Sequence, residues 1–232
     1  MVIAGTAGCG GDAVPPAAAS RTGHATPRQE ASGQPSPSPR VTSAAAARLS
    51  RALLATPRGM QVAYGPEVGP YGGLEATRRG LEAMRQARLS KPQCAGAGQL
   101  DAAAPAVASA PAAVVAFASD AGSLTEALVT LPPGQAALPA EPPAACRTYT
   151  ATVGGSTISY LTRRLPAPML GQESRASLTT TTSSGQTVQI ATGTVRHGNV
   201  IMSILMVGSK IKPADLRANV KRAYKRLTST LS

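Results

Sequence analysis

The chain has 232 residues, enough for one ordinary domain with an additional segment or for two small domains. Lys and Arg outnumber Asp and Glu by 23 to 11, and the net charge of +12 suits anionic surfaces such as lipid headgroups, acidic wall polymers or nucleic acid. We do not expect nucleic acid, because the chain has only five Tyr, one Phe and no Trp to stack on bases. The longest apolar run, Val200–Val207, is too short to cross a membrane as a helix.

The first cysteine follows a short run of small residues. Thr6-Ala7-Gly8-Cys9 resembles a bacterial lipobox, in which the cysteine receives a diacylglyceryl group, commonly with palmitate chains, and becomes the mature N-terminus. We therefore interpret residues 1–9 as a truncated signal peptide and Cys9 as the lipidation site. A signal peptide needs a charged start and a longer apolar run than the eight residues before Cys9 provide. Either the true start codon lies upstream, which we favour, or Cys9 is an ordinary thiol.

Residues 10–42 have the composition of a flexible tether. They are rich in Pro, Gly, Ser and Ala and contain hardly any large apolar side chain, so they cannot form a packed core. We expect a disordered linker that holds a folded domain, residues 43–232, away from the lipid headgroups.

Two helices are predicted at the start of this domain. Ser43 can cap a helix that carries Leu49 and Leu53 on its apolar side and ends before Pro57. A second helix is predicted over Leu74–Leu89, after an irregular Gly- and Pro-rich stretch that contains a short strand at Met60–Tyr64.

The middle of the chain is rich in Val, Ile and Thr and predicts about seven strands that are mostly neighbours in sequence. Short turn signals separate them, and Gly154-Gly155 is a typical two-residue hairpin turn. The predicted strands are 112–119, 123–131, 146–153, 156–165, 174–182, 186–196 and 199–208. Such an order favours a single antiparallel sheet.

The chain closes with an amphipathic helix over Pro213–Leu231, whose apolar side predicts packing against one face of the sheet. The fold class is therefore α+β. The opposite side of this helix is basic and consists of Arg217, Lys221, Arg222, Lys225 and Arg226. These cations either contact an anionic surface or, as we favour from the sequence, form a solvated face.

Cys94 and Cys146 are the two cysteines that remain after Cys9, in a chain that we expect to be exported. An oxidising compartment favours a disulfide between them, and the absence of a C-x-x-C motif or a nearby His cluster argues against zinc binding or redox catalysis.

Several segments in this order resemble a known family. They are "SLTEALVTLP" leading to "PPAACRTYTATVGG", then "LPAPMLGQES", then "VRHGNVIMSILMVG" before the last helix. Together, over about 53–231, they are similar to actinobacterial cell-envelope lipoproteins related to the PknH-like extracellular sensor domain of mycobacterial serine/threonine kinases. The resemblance implies an antiparallel sheet with helices against it and a cleft for an unidentified ligand. Members often carry two disulfides and a Trp before the second cysteine of a pair, whereas this chain has cysteines for one such bond and "PPAAC" at that place.

The sequence contains no recognisable catalytic motif, and we expect neither an enzyme, a cofactor nor a metal site. His24 lies in the predicted tether, and His197 lies in a predicted turn, where a solvated side chain is the simpler interpretation. Glu126 lies inside a predicted strand, where it either faces a cleft or, as we favour, points outward to solvent.

These observations favour a monomeric lipoprotein on the extracytoplasmic face of the cell membrane. Its domain would bind a small ligand or an envelope component without catalysis, as a sensor does. An alternative is a carrier that encloses a lipid or another apolar molecule, which would need an apolar cavity between sheet and helices. A hydrolase is the less favoured third hypothesis, because it would need an acid/base pair within hydrogen-bonding distance in a cleft.

Overall fold

The computed structural model describes residues 39–231, with side chains from residue 44 onward. The helices are α1 (Pro39–Ala52), α2 (Glu75–Gln86), α3 (Pro105–Ala108) and α4 (Pro213–Leu231). The strands are β1 (Gln61–Pro70), β2 (Arg88–Leu89), β3 (Pro111–Ser119), β4 (Gly122–Thr130), β5 (Thr148–Val153), β6 (Ser156–Leu165), β7 (Glu173–Ser183), β8 (Gln186–His197) and β9 (Val200–Gly208).

All described strands belong to one sheet in the order β1-β3-β4-β9-β8-β7-β6-β5-β2, and every neighbouring pair is antiparallel. The predicted α+β class and single antiparallel sheet are thus confirmed, with nine strands instead of about seven. Gly154 and Gly155 both have positive φ, +54° and +81°, and connect Val153 directly to Ser156. This is the geometry that glycine permits in a two-residue hairpin turn.

The differences lie near the start of the domain. Helix α1 begins at Pro39, so Ser43 lies inside the helix and is not its N-cap; Pro is well suited to a first helical turn. Strand β1 extends to Pro70, beyond the predicted end at Tyr64, because an edge strand with irregular register tolerates proline. Helix α2 ends at Gln86, and the following Arg88–Leu89 pairs with β5.

Helices α1 and α4 cover one face of the sheet, which we call the helical face. The apolar stripe predicted for α4 is buried there: Leu216, Val220, Ala223 and Leu227. Leu49 and Leu53 of α1 pack into the same core. Contact between α4 and β8 is close at Gly193, where an added Cβ would lie 2.5 Å from Val220 Cγ2.

Long connecting segments cross the other face, which we call the reverse face. Residues 71–110 and 131–147 run there, and Leu74, Leu131 and Leu138 from these segments pack on Val114, Val129 and Ile201. The segment before β5 is fixed by Arg175, which donates to the carbonyl oxygen of Pro139, and by the ion pair of Arg164 with Glu141 at 2.7 Å.

A carboxylate from β1 caps α2. Glu67 accepts hydrogen bonds from the backbone N–H of Glu75, at 2.9 and 3.0 Å, and from the hydroxyl of Tyr64. Burial opposes the ionisation of Glu67, but these hydrogen bonds outweigh it and lower its pKa. The N-terminus of α2, which lacks a side-chain cap at Leu74, thereby obtains an acceptor from a neighbouring strand.

Candidate functional site: a hydroxyl-lined groove

An open groove of about 450 Å³ lies on strands β5, β6 and β7. Its lining residues are Ser90, Thr148, Tyr149, Thr150, Ser159, Tyr160, Leu161, Thr180 and Thr182. Alternation along the strands places the Thr148, Thr150, Ser159, Leu161, Thr180 and Thr182 side chains on the helical face. The groove therefore occupies the part of that face that α1 and α4 leave uncovered.

The strand register brings the lining side chains together. Leu161 is paired with Thr148 on one side and with Thr180 on the other, and its side chain is 54% exposed. One step along the strands, Ser159 is paired with Thr150 and with Thr182. The result is a patch of hydroxyls and threonine methyl groups around one exposed leucine.

The hydroxyls of this patch have no hydrogen-bond partner within the described part of the protein. This holds for the side chains of Thr148, Thr150, Ser159, Thr180 and Thr182. On the reverse face of β6 and β7, by contrast, the hydroxyls of Thr162 and Thr179 form a hydrogen bond with each other, with 2.8 Å between their Oγ1 atoms. The groove hydroxyls are thus available to solvent or to a ligand, each as a donor and an acceptor.

The floor of the groove is supported from behind. Tyr149 and Tyr160 are directly opposite each other on β5 and β6, with ring centroids 4.7 Å apart and an interplanar angle of 3°. Burial raises the pKa of both phenols, so both are neutral at physiological pH. This stacked pair fixes the two strands that carry most of the groove.

Hydrogen bonds connect the β5 edge of the groove to the segments that carry the two cysteines. The backbone N–H of Thr150 donates to Ser90 Oγ at 2.9 Å, and Lys91 Nζ donates to the carbonyl oxygens of Ala145 and Thr148, both at 2.7 Å. Cys94 and Cys146 are joined by a disulfide, as expected from the sequence, with Cα atoms 5.5 Å apart.

Among the other residues singled out in the sequence, Cys9 and His24 lie outside the described residues. The five basic residues of α4 are all exposed. His197 is the last residue of β8 and not part of a solvated turn; its Nδ1 lies 3.2 Å from the hydroxyl of Tyr224 on α4, and the two rings pack edge to face.

The prediction for Glu126 was wrong, because its side chain is fully buried beneath α1. Its register places it beside Val115 and Ile204 on the helical face. Its Oε2 accepts the backbone N–H of Leu54 at 2.5 Å, and its Oε1 has no partner in the described structure. Burial raises the pKa of Glu126 to about 7, although the Leu54 N–H and the charge of Arg226 act in the opposite direction.

Sequence reasoning missed the groove itself. Threonine at every second position of "CRTYTATV" was a usable signal, since Thr148, Thr150 and Thr152 must then share one face of a strand. The run "TTTTSSG" after Leu178 supplies two more lining residues, Thr180 and Thr182, which alternation places on one face of their strand.

Among the described residues, the lining of this groove includes no carboxylate, imidazole or thiol. No three His, Cys, Asp or Glu side chains between residues 39 and 231 are grouped as metal ligands. Across the same range, none of the helices combines the length and the apolar character needed to span a bilayer.

No protein-family model matches the chain, and no curated protein has a significant sequence match to it. The structure is similar to the crystal structure of the extracellular domain of PknH from Mycobacterium tuberculosis, with a TM-score of 0.50 and 14% sequence identity. The match covers 79% of this chain and 95% of that chain.

The chain has the fold of that extracellular domain. The family resemblance inferred from the sequence is confirmed only at the level of the fold, because a structural similarity at 14% sequence identity shows a shared fold and nothing more. An X-ray structure of a putative uncharacterized protein from Mycobacterium smegmatis matches with a TM-score of 0.42 and 12% identity, over 81% of this chain and 94% of that one.

Proposed function

We propose that the protein is a sensor-like extracytoplasmic domain that binds a ligand without catalysis and is tethered to the membrane by lipid on Cys9. The fold, shared with an extracellular domain, and the Cys94–Cys146 disulfide support export, because such bonds persist in oxidising compartments. The proposed tether is the Pro-, Gly-, Ser- and Ala-rich stretch between Cys9 and the start of α1 at Pro39.

The observation that carries the binding proposal is the set of unpartnered hydroxyls in the groove. No charged side chain lines it, and Leu161 adds an apolar contact at its centre. A neutral molecule that presents both hydroxyl groups and C–H faces, such as an uncharged sugar, has the matching chemistry. An anionic ligand would find no cation among the lining residues.

The carrier hypothesis finds less support. The contact between α4 and the sheet is filled by Leu216, Val220 and Leu227, and Gly193 leaves no space for even one added carbon. An enclosed apolar ligand needs a cavity at that place. The open groove instead favours a ligand that remains in contact with solvent.

Binding in the groove is tested by titrating the isotopically labelled protein with neutral trisaccharides such as maltotriose, cellotriose and mannotriose, and recording backbone amide shifts by NMR. We expect shifts at β5, β6 and β7 that disappear in Thr150→Val/Thr180→Val. The matched control is Thr192→Val/Thr194→Val on the reverse face of β8, which should bind like the parent. No shift in the groove with any trisaccharide, or equal loss in the control, would refute the ligand class.

The tether is tested separately by the intact mass of protein from the membrane fraction, expressed from a gene that retains its upstream codons. We expect a mature N-terminus at Cys9 that carries acyl mass, and a Cys9→Ser variant that leaves the membrane fraction. An unmodified chain in the cytosol would refute the anchor.

A further inference from the structure

The outer surfaces of α1 and α4 carry many positive charges. The sequence alone indicates a basic side only for α4. Arg48 and Arg51 of α1 are exposed, and α1 packs beside α4. We define the cationic surface as Arg48, Arg51, Arg217, Lys221, Arg222, Lys225 and Arg226. Against these seven cations, the described outer surface of the two helices has one acid, Asp215, at the start of α4.

Arg226 connects the two helices. Its Nε donates a hydrogen bond to the carbonyl oxygen of Leu53, just after the end of α1. The residue remains exposed, so its charge still belongs to the outer surface. The contact joins α4 to the end of α1 and so links the two helices that carry the cations.

Asp215 lies on α4 and Glu126 is buried beneath α1, but the acidic residues that form ion pairs in the described protein lie away from both helices. Its four ion pairs are Arg79–Glu75, Arg85–Glu82, Arg164–Glu141 and Arg175–Glu173, on α2, on the segment before β5 and on the reverse face. In the described structure, no member of the cationic surface forms an ion pair. The protein is thus electrostatically asymmetric, with unneutralised cations on the helical side.

We propose that the cationic surface docks on a membrane of anionic phospholipid. This inference rests on the tether of the proposed function, since α1, which begins at Pro39, is the first described element after the proposed lipid anchor at Cys9. The side chains exposed between the cations are small, Ala44 and Ala47 on α1 and Ala214 and Ala218 on α4. Among the side chains that the structure describes on α1 (from residue 44) and α4, no large apolar one is exposed, so docking through them is electrostatic and involves no insertion into the hydrocarbon.

The test uses the full chain with Cys9→Ser, so that no acyl chain contributes to binding. Binding is measured by sedimentation with vesicles of phosphatidylcholine alone and with about 30% phosphatidylglycerol, at about 0.1 M and about 1 M salt. We expect binding only to the anionic vesicles and only at low salt, because salt at about 1 M screens charges beyond roughly 3 Å.

Two matched triple variants locate the binding surface. Lys221→Gln/Arg222→Gln/Lys225→Gln removes three cations from α4, and Arg78→Gln/Arg79→Gln/Arg85→Gln removes three from α2, so both change the net charge equally. The α4 variant should lose affinity on the order of 100-fold, since each cation near an anionic surface contributes roughly a factor of five. The α2 variant should bind within about twofold of the parent.

Equal losses in both variants would overturn the proposal in favour of a net-charge effect without a docking surface. Binding that is as strong to phosphatidylcholine alone, or no binding to either vesicle, would also overturn it. The mass test of Cys9 is independent of all these outcomes, so failure of the docking surface is distinguishable from failure of the tether.

Discussion

The helical face of the sheet has two halves that are built from similar strands and differ in what covers them. Under α1 and α4, the side chains of Val115, Leu128, Met202 and Val195 are fully buried. On β5, β6 and the far end of β7, none of the described helices lies above the sheet, and positions of the same face are mainly Thr and Ser around Leu161. We call these regions the covered half and the groove half.

The comparison shows that strands can pair continuously in one antiparallel sheet although helices pack on only part of its face. Backbone hydrogen bonds between strands are satisfied in both halves, so the groove half can leave its side chains open to water. Stability in the covered half comes from apolar burial. In the groove half it comes from the ladder, from the stacked Tyr149 and Tyr160, and from the nearby disulfide.

The same substitution in the two halves should therefore have very different effects. Leu227→Ala removes a side chain that is fully buried under α4 and should lower the free energy of unfolding by about 2–5 kcal/mol. Leu161→Ala removes a leucine that is 54% exposed and should change it by less than about 0.5 kcal/mol. Urea denaturation of both variants measures the difference, and equal destabilisation would show that the groove half is packed like a core.

Removal of the disulfide should lower the stability of the whole domain and, in the folded state, loosen the groove half more than the covered half. The bond closes a loop between residues separated by 52 positions, and its loss in Cys94→Ala/Cys146→Ala should cost about 4 kcal/mol through loop entropy in the unfolded chain. Denaturation measures the total effect, in a Cys9→Ser background that excludes mispaired thiols. Amide exchange then reports its location: we expect faster exchange in β2 and β5 than in β4 and β9. Unchanged stability, or a uniform increase in exchange, would contradict the assignment of the bond to this half.

Much of the fold was predictable because its signals are local. Glycine turns such as Gly154-Gly155 specify hairpins directly, and the spacing of Leu216, Val220 and Leu227 specifies the buried stripe of α4. The weak predictions concern β1 and β2. Proline inside β1 obscures a strand that exists through pairing with β3, and β2 is a two-residue strand formed through distant pairing with β5.

The two halves of the helical face could not be separated by sequence. Whether a strand position is covered depends on where α1 and α4 lie, and this is decided by the sheet order, in which β4 and β5 are far apart although they are consecutive. Glu126 was misplaced for a different reason. Glu126 is two residues from both Leu124 and Leu128, so strand alternation places it on the same face of β4 as these two buried leucines. The prediction of a solvent-facing side chain rested on its charge alone.

The buried carboxylate of Glu126 is an exception to the apolar character of the covered half, and its effect depends on pH. Its pKa is raised by burial to about 7 in the folded protein, against an ordinary value of 4.5. Between these pH values the unfolded chain releases a proton that the folded protein retains, so the free energy of unfolding falls as pH rises, by about 3 kcal/mol in total. Below pH 4.5 the group is neutral in both states, and above pH 7 the loss is complete.

Glu126→Gln keeps an oxygen that can accept the Leu54 N–H and removes the charge. We therefore expect that the free energy of unfolding of this variant does not fall between pH 4.5 and pH 7 as that of the parent does. At pH 7 and above, the variant should be more stable than the parent by up to about 3 kcal/mol. Glu82→Gln, at an exposed position of α2, is the matched control and should keep the slope of the parent. Urea denaturation from about pH 4 to pH 8 measures all three proteins. If the parent and Glu126→Gln show the same slope, the carboxylate is not desolvated in the folded state, and the covered half admits water at the end of α1.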